Sequence, residues 1–144
     1  MKLKILSFSG GGFSSESVKS VTLMTGGGEL TILEDHCPLL ASMKPSTMYI
    51  IYTDENGVEK RDDFAVGSGV VEVSNSSVKV MSDMFIDIED LDKEKAEREK
   101  FEAEKLMEKY KNSDKVVDMD KFIEAEDMLL KSIAQLKLSD KERR

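Results

Sequence analysis

Between residues 3 and 81, apolar and polar positions alternate in short runs closed by turn residues, the pattern of strands with one buried face. Leu3-Lys4-Ile5-Leu6-Ser7-Phe8 runs into Gly10-Gly11-Gly12. Val18 to Met24 sets Val21 and Leu23 inward against Ser20 and Thr22, then stops at Gly26-Gly27-Gly28; Glu29 to Ile32 is a short third strand. Thr47 to Thr53 and Val58 to Val66 flank Asp54-Glu55-Asn56-Gly57, where Asn-Gly predicts a hairpin because both residues accept positive φ. Val70 to Val73 and Ser77 to Met81 pair across Asn75-Ser76. Residues 1–86 are therefore expected to form an antiparallel β-sandwich or barrel of about eight to ten short strands.

From Asp87 the period becomes helical. Leu91 to Asn112 carries Ala96, Phe101, Ala103, Leu106, Met107 and Tyr110 at spacings of three and four, with Asp90 or Asp92 as N-cap. After a loop at Asn112-Ser113-Asp114-Lys115, a second helix is predicted from about Asp120 to Leu138, with Phe122, Leu129, Ile133 and Leu136 on one stripe. The short connection predicts an antiparallel two-helix hairpin over residues 87–144. Its seam is thin and its exterior charged, so it should be marginal alone and able to detach.

Composition agrees with this division. All nine glycines and both prolines precede residue 70. Residues 1–86 hold 7 basic and 11 acidic groups and residues 87–144 hold 14 and 18, for a net charge of −8. Scattered basic groups in an acidic chain argue against nucleic acid as a partner. No run reaches the ~20 apolar residues of a membrane span, and Met1 to Leu6 lacks the form of a signal peptide, so no direct membrane insertion is expected. One cysteine, Cys37, and one histidine, His36, allow neither an internal disulfide nor a zinc site built on paired Cys or His ligands.

Catalytic patterns are lacking. Neither glycine triplet leads to the Lys-Ser/Thr of a phosphate loop, and Gly67-Ser68-Gly69 has the wrong spacing for a nucleophile elbow. His36 and Cys37, as neighbours in an extended segment, should point to opposite faces. The carboxylates from Glu89 to Glu108 alternate with lysines as a solvated helix face. No independent catalyst and no cofactor are expected.

Gly28-Glu29-Leu30-x-Ile32-Leu33, followed by His36-x-Pro38-Leu39-Leu40 and Lys44-Pro45, resembles the Gly-Glu-Leu-Gly-Ile, Gly-His-Ala-Pro-Leu-Leu and Lys-Pro-Gly signature of the ε subunits of F-type ATP synthases. Gly67-Ser68-Gly69-Val70-Val71-Glu72-Val73 with Val78-x-Val80, Glu89-Asp90-Leu91-Asp92 and Ala134-Gln135-Leu136 extend the similarity, in order, over almost the whole chain.

The resemblance implies a rotor part without active-site chemistry, peripheral to the cytoplasmic face of an energy-transducing membrane. Its sandwich would bind the γ subunit and the polar loops of the c-ring. Its hairpin would either fold onto the sandwich or extend along γ to the α/β catalytic head and block rotation in the hydrolysis direction. Glu29 matches the family's acidic c-ring contact, with His36 in the same bottom loop; the alternatives are a solvated turn carboxylate and a hydrogen-bonded loop histidine. Lys137, Lys141, Arg143 and Arg144 would meet an acidic loop of the head, or form a frayed basic tail.

Four positions depart from the signature: Thr31 replaces a glycine, Glu34-Asp35 a Pro-Gly turn, and Ser46 the glycine of Lys-Pro-Gly. Some members bind ATP through Ile/Leu-Asp-x-x-Arg-Ala and two helix-2 arginines. The corresponding residues here are Leu91, Asp92, Lys95 and Ala96, with Lys131 and Gln135 on the second helix, and lysine lacks the guanidinium fork. ATP binding is expected to be weak or lost. A nucleotide-sensing module and a free-standing adaptor using the acidic hairpin are the other readings.

Overall fold

The computed structural model describes residues 1–112 and 115–142. Ten strands come first: β1 Lys2–Ser7, β2 Gly12–Ser15, β3 Val18–Thr25, β4 Gly28–Leu33, β5 Leu39–Met43, β6 Ser46–Thr53, β7 Glu59–Val66, β8 Gly69–Ser74, β9 Ser77–Ser82 and β10 Phe85–Asp87. A single 3-10 turn, Ile88–Asp90, leads to helices α1 Lys93–Tyr110 and α2 Val116–Glu142.

The strands run β10-β7-β6-β3, with β4 also on β3, and β5-β8-β9-β1-β2, the two halves being joined where Thr25 pairs with Met43. The result is a nearly closed barrel. Nearly all pairs are antiparallel; β1 and β9 pair in parallel. Leu3, Ile5, Val21, Leu23, Ile32, Met48, Ile50, Phe64, Val71 and Val80 fill the interior. On the side away from the Thr25–Met43 join, Phe13 reaches across to Tyr52 and Phe64, with ring centroids 6.1 and 5.4 Å apart, and Phe64 meets Phe85 at 4.9 Å.

The β6–β7 hairpin forms where expected, but Gly57 alone among its loop residues takes positive φ, at 79°. The Asp54 carboxylate organises the turn, accepting from the Asn56 and Val58 amides at 2.9 Å each. The β8–β9 turn is left-handed at both Asn75 and Ser76. Thr22, expected outside, is buried because β4 and β6 flank β3; its hydroxyl lies 2.9 Å from that of Thr31.

The helices lie side by side. Tyr110 sits beside Lys121, and Glu104 and Met107 share a cleft with Leu129, so the pair is antiparallel. Asp92 is the N-cap of α1, its carboxylate accepting from the Lys95 amide at 3.1 Å. α2 starts at Val116 rather than near Asp120 and spans 27 residues, about 40 Å, because no glycine or proline interrupts it. The expected loop residues Ser113 and Asp114 lie outside the described residues.

Candidate functional site: the docked hairpin and the two barrel ends

α2 meets the barrel through few large side chains. Ala134 and Leu138 are fully buried against Ala65 and Met84, with Ile86 and Ile88 alongside. Alternation along β7 puts Phe64 and Val66 in the barrel interior and leaves Ala65 on the outer face, where a methyl admits the helix. Gln135 Nε2 lies 3.5 Å from the Met84 sulfur.

At the end of this seam nearer the N-terminus of α2, Lys131 Nζ lies 2.7 Å from Asp83 of the β9–β10 turn and 3.0 Å from Asp127 one helical turn earlier. Asp127 also accepts from the Ser68 hydroxyl at 2.9 Å. Burial pulls the Lys131 ammonium down, but the hydrogen bonds and charges of Asp83 and Asp127 outweigh it and hold its pKa above the ordinary 10.5. Sequence alone singled out Lys131 and Gln135 as substituted helix-2 positions; it did not show that both face the barrel.

The expected stripe Phe122, Leu129, Ile133 and Leu136 is half-buried, whereas Ala125, Ser132, Ala134, Gln135, Leu138 and Ser139 are buried. On α1, Ala96 and Ala103 are the buried residues, while Phe101, expected among the apolar positions of the seam, is 58% exposed under the Lys105 ammonium. The residues of the degenerate nucleotide motif have structural work in this state. Leu91 closes the 3-10 turn, Asp92 caps α1, Lys95 reaches Glu99 at 3.9 Å, and Ala96 is buried.

Glu29 and His36 do not share a loop. Glu29 is exposed and pairs with Met24 beside the β3–β4 turn, while His36 lies beyond Leu33 at the other end of β4, after about 13 Å of strand. The Glu29 end also carries the β5–β6 connection, since Lys44 N donates to Met24 O at 3.1 Å. At the His36 end, Asp35 takes φ 64° and His36 N bonds Leu33 O, so the turn retains a left-handed residue without glycine. His36 and Cys37 are not in a strand, and Cys37 Sγ lies 3.9 Å from His36 Nδ1. That nitrogen is bound to the Cys37 carbonyl at 2.7 Å, which makes it the donor and unavailable as a base for the thiol. Lys137 is exposed on α2; Lys141 belongs to the same helix, and Arg143 and Arg144 lie outside the described residues.

A ten-stranded barrel with a two-helix hairpin docked on its flank is the arrangement the structure shows. Comparisons with known proteins place it in a family. Residues 1–88 match the family "ATP synthase, Delta/Epsilon chain, beta-sandwich domain". The chain is 36% identical over 107 residues to the ATP synthase epsilon chain of Hydrogenovibrio crunogenus, covering 74% of this chain and 70% of that one. It is 38% identical over 108 residues to that of Delftia acidovorans, covering 74% and 72%. In fold it is similar to a chain of the Euglena gracilis mitochondrial ATP synthase OSCP/F1/c-ring structure, with TM-score 0.70, 20% identity and coverage of 95% and 79%. A chain of the Tetrahymena thermophila mitochondrial central stalk/c-ring structure matches with TM-score 0.51 at 16% identity, covering 60% and 66%.

The chain belongs to the ATP synthase Delta/Epsilon family as an epsilon chain, a non-catalytic subunit of that enzyme. Among the described residues, no helix is long and apolar enough to cross a membrane.

Proposed function

We propose that the chain couples the rotor to the catalytic head, with residues 1–86 as the docking unit and residues 87–144 as a movable regulator. The barrel binds the γ subunit and the polar c-ring loops, using Glu29 at one end of β4 and His36 at the other, on the cytoplasmic face of the membrane. The hairpin rests on the barrel in the structure described above; in its other position it extends along γ, and the basic residues from Lys137 to Arg144 meet the α/β head and oppose hydrolysis.

The observation that carries this reading is the construction of the α2 seam: small side chains, one leucine and one ionic cluster join a hairpin to a barrel that already has its own closed core. The similar solved chains come from F1/c-ring and central stalk/c-ring assemblies, which supports the choice of partners. ATP hydrolysis by the assembled head and stalk tests it, comparing the full chain with one cut after Leu91, which keeps β10. The assembly that carries the shortened chain should hydrolyse ATP faster; equal rates remove the inhibitory role. Since Asp92 caps α1 and Lys131 is paired with carboxylates, calorimetry on the isolated chain should show weak ATP binding or none.

A further inference from the structure

We infer that the docked position of the hairpin is held by an ionic latch internal to this chain, in which the Lys131 ammonium is clamped between Asp83 of the barrel and Asp127 of α2. This rests on the reading of the hairpin as a movable regulator and names what sets its position. An intramolecular charge cluster, rather than a bound ligand, stabilises the closed form.

Three features of the site fit a latch better than a permanent joint. First, the cluster ties two points of α2 to two separate barrel turns, because Asp127 also holds Ser68 of the β7–β8 turn while Lys131 holds Asp83 of the β9–β10 turn. Second, those turns are shaped around the carboxylate. A Cβ on Gly67 would stand 1.9 Å from Asp83 Oδ1 and 3.0 Å from Lys131 Cε, so any side chain there would push the carboxylate from its present position beside Lys131. Third, the latch carboxylate is only half satisfied in the docked state: Oδ2 meets Lys131, whereas Asp83 Oδ1 is buried without a hydrogen-bond partner, which lowers the net gain of docking. The latch oxygens that contact Lys131 lie on side chains more than a third exposed, so the attraction is open to screening by salt. A clamp that combines strong geometry, an orphaned acceptor and access to ions is a reversible one.

The test uses the full chain, labelled at the native Cys37 on the barrel and at Glu102→Cys on the exposed face of α1, with the label-to-label distance measured by pulsed electron resonance. Lys131→Gln, close in size and uncharged, should raise the fraction of long distances about two- to fivefold, the range for a partly exposed ion pair. Asp83→Asn should do the same, and the double variant should add little to either. Gly67→Ala, which displaces the Asp83 carboxylate while leaving every charge in place, should open the hairpin as well. Moving from 0.1 to 1 M salt should open the wild type and leave Lys131→Gln unchanged. Lys121→Gln, on the part of α2 that precedes the barrel contact, should have no effect. Unchanged distances in Lys131→Gln and Asp83→Asn, with the thermal unfolding of the barrel intact, would overturn the latch, as would full additivity of the two. Should the variants open the hairpin while hydrolysis by the assembled enzyme stays at the wild-type rate, the latch stands and the inhibitory role falls.

Discussion

The barrel and the hairpin solve the problem of burying apolar surface in opposite ways. Inside the barrel, Phe64, Leu3, Ile5, Leu23, Ile32, Met48 and Ile50 are almost completely removed from water, and strand pairing satisfies the backbone between them. In the hairpin the buried positions are Ala96, Ala103, Ala125 and Ala134, with Ser132, Gln135 and Ser139, and Leu138 is the one large fully buried apolar side chain among the described helical residues. With about 0.8 kcal/mol per buried methylene, a layer of alanines contributes far less than a layer of leucines and phenylalanines. One chain thus joins a deeply buried apolar core to a hairpin held by a thin, mostly small-residue layer.

That contrast can be broken from either side. The largest effect is expected from Phe64→Ala, which removes the central ring of the aromatic cluster and should cost the barrel about 3–5 kcal/mol in denaturant unfolding. Leu138→Ala should behave differently although the site is equally buried. A fully buried leucine is worth about 2–5 kcal/mol, but the loss is capped by the free energy of docking. The barrel's unfolding midpoint should therefore hold, while hydrogen exchange quickens at the Ala65 and Met84 amides. A smaller effect, about 0.5–2 kcal/mol, is expected for Asp92→Ala, which removes the N-cap of α1 and should lower helical circular dichroism without touching the strands.

The smallest effects are those of pH, and they separate the two regions by sign. The Asp54 carboxyl lies below its usual 3.8, first because the Val58 amide bonds it and then because Lys60 lies 3.2 Å away. Its contribution to the β6–β7 loop is complete above pH 3.8 and is lost as pH falls through the lowered value. Lys131 titrates above 10.5, so its contribution to docking is complete below pH 10.5 and is lost as pH rises through the raised value. Label distances should consequently stay constant from pH 5 to 9 in roughly neutral buffers and lengthen only in strong alkali.

Local patterning was enough to find seven of the strands and both helices, because their apolar periods of two and near four appear within single segments. β2, β5 and β10 escaped it. Gly12-Phe13-Ser14-Ser15 has one apolar residue, Leu39 to Met43 does not alternate cleanly, and β10 has three residues whose role depends on pairing with β7. The chain signature around Glu29 and His36 was equally readable, yet a signature is ordered along the chain and says nothing of direction in space. β4 extends between the two residues and sends them to opposite ends of the barrel.

By itself, then, the sequence determined a glycine-punctuated β unit, a breaker-free helical unit and membership of the ATP synthase Delta/Epsilon family, since these depend on residue order and local conformational preference. Only the tertiary structure decided that α2 rather than α1 lies against β6 and β7, that Ala65 offers it a smooth outer face, and that Lys131 finds Asp83. Contacts between residues nearly fifty positions apart depend on the path of every strand between them, and no period along the chain encodes that path.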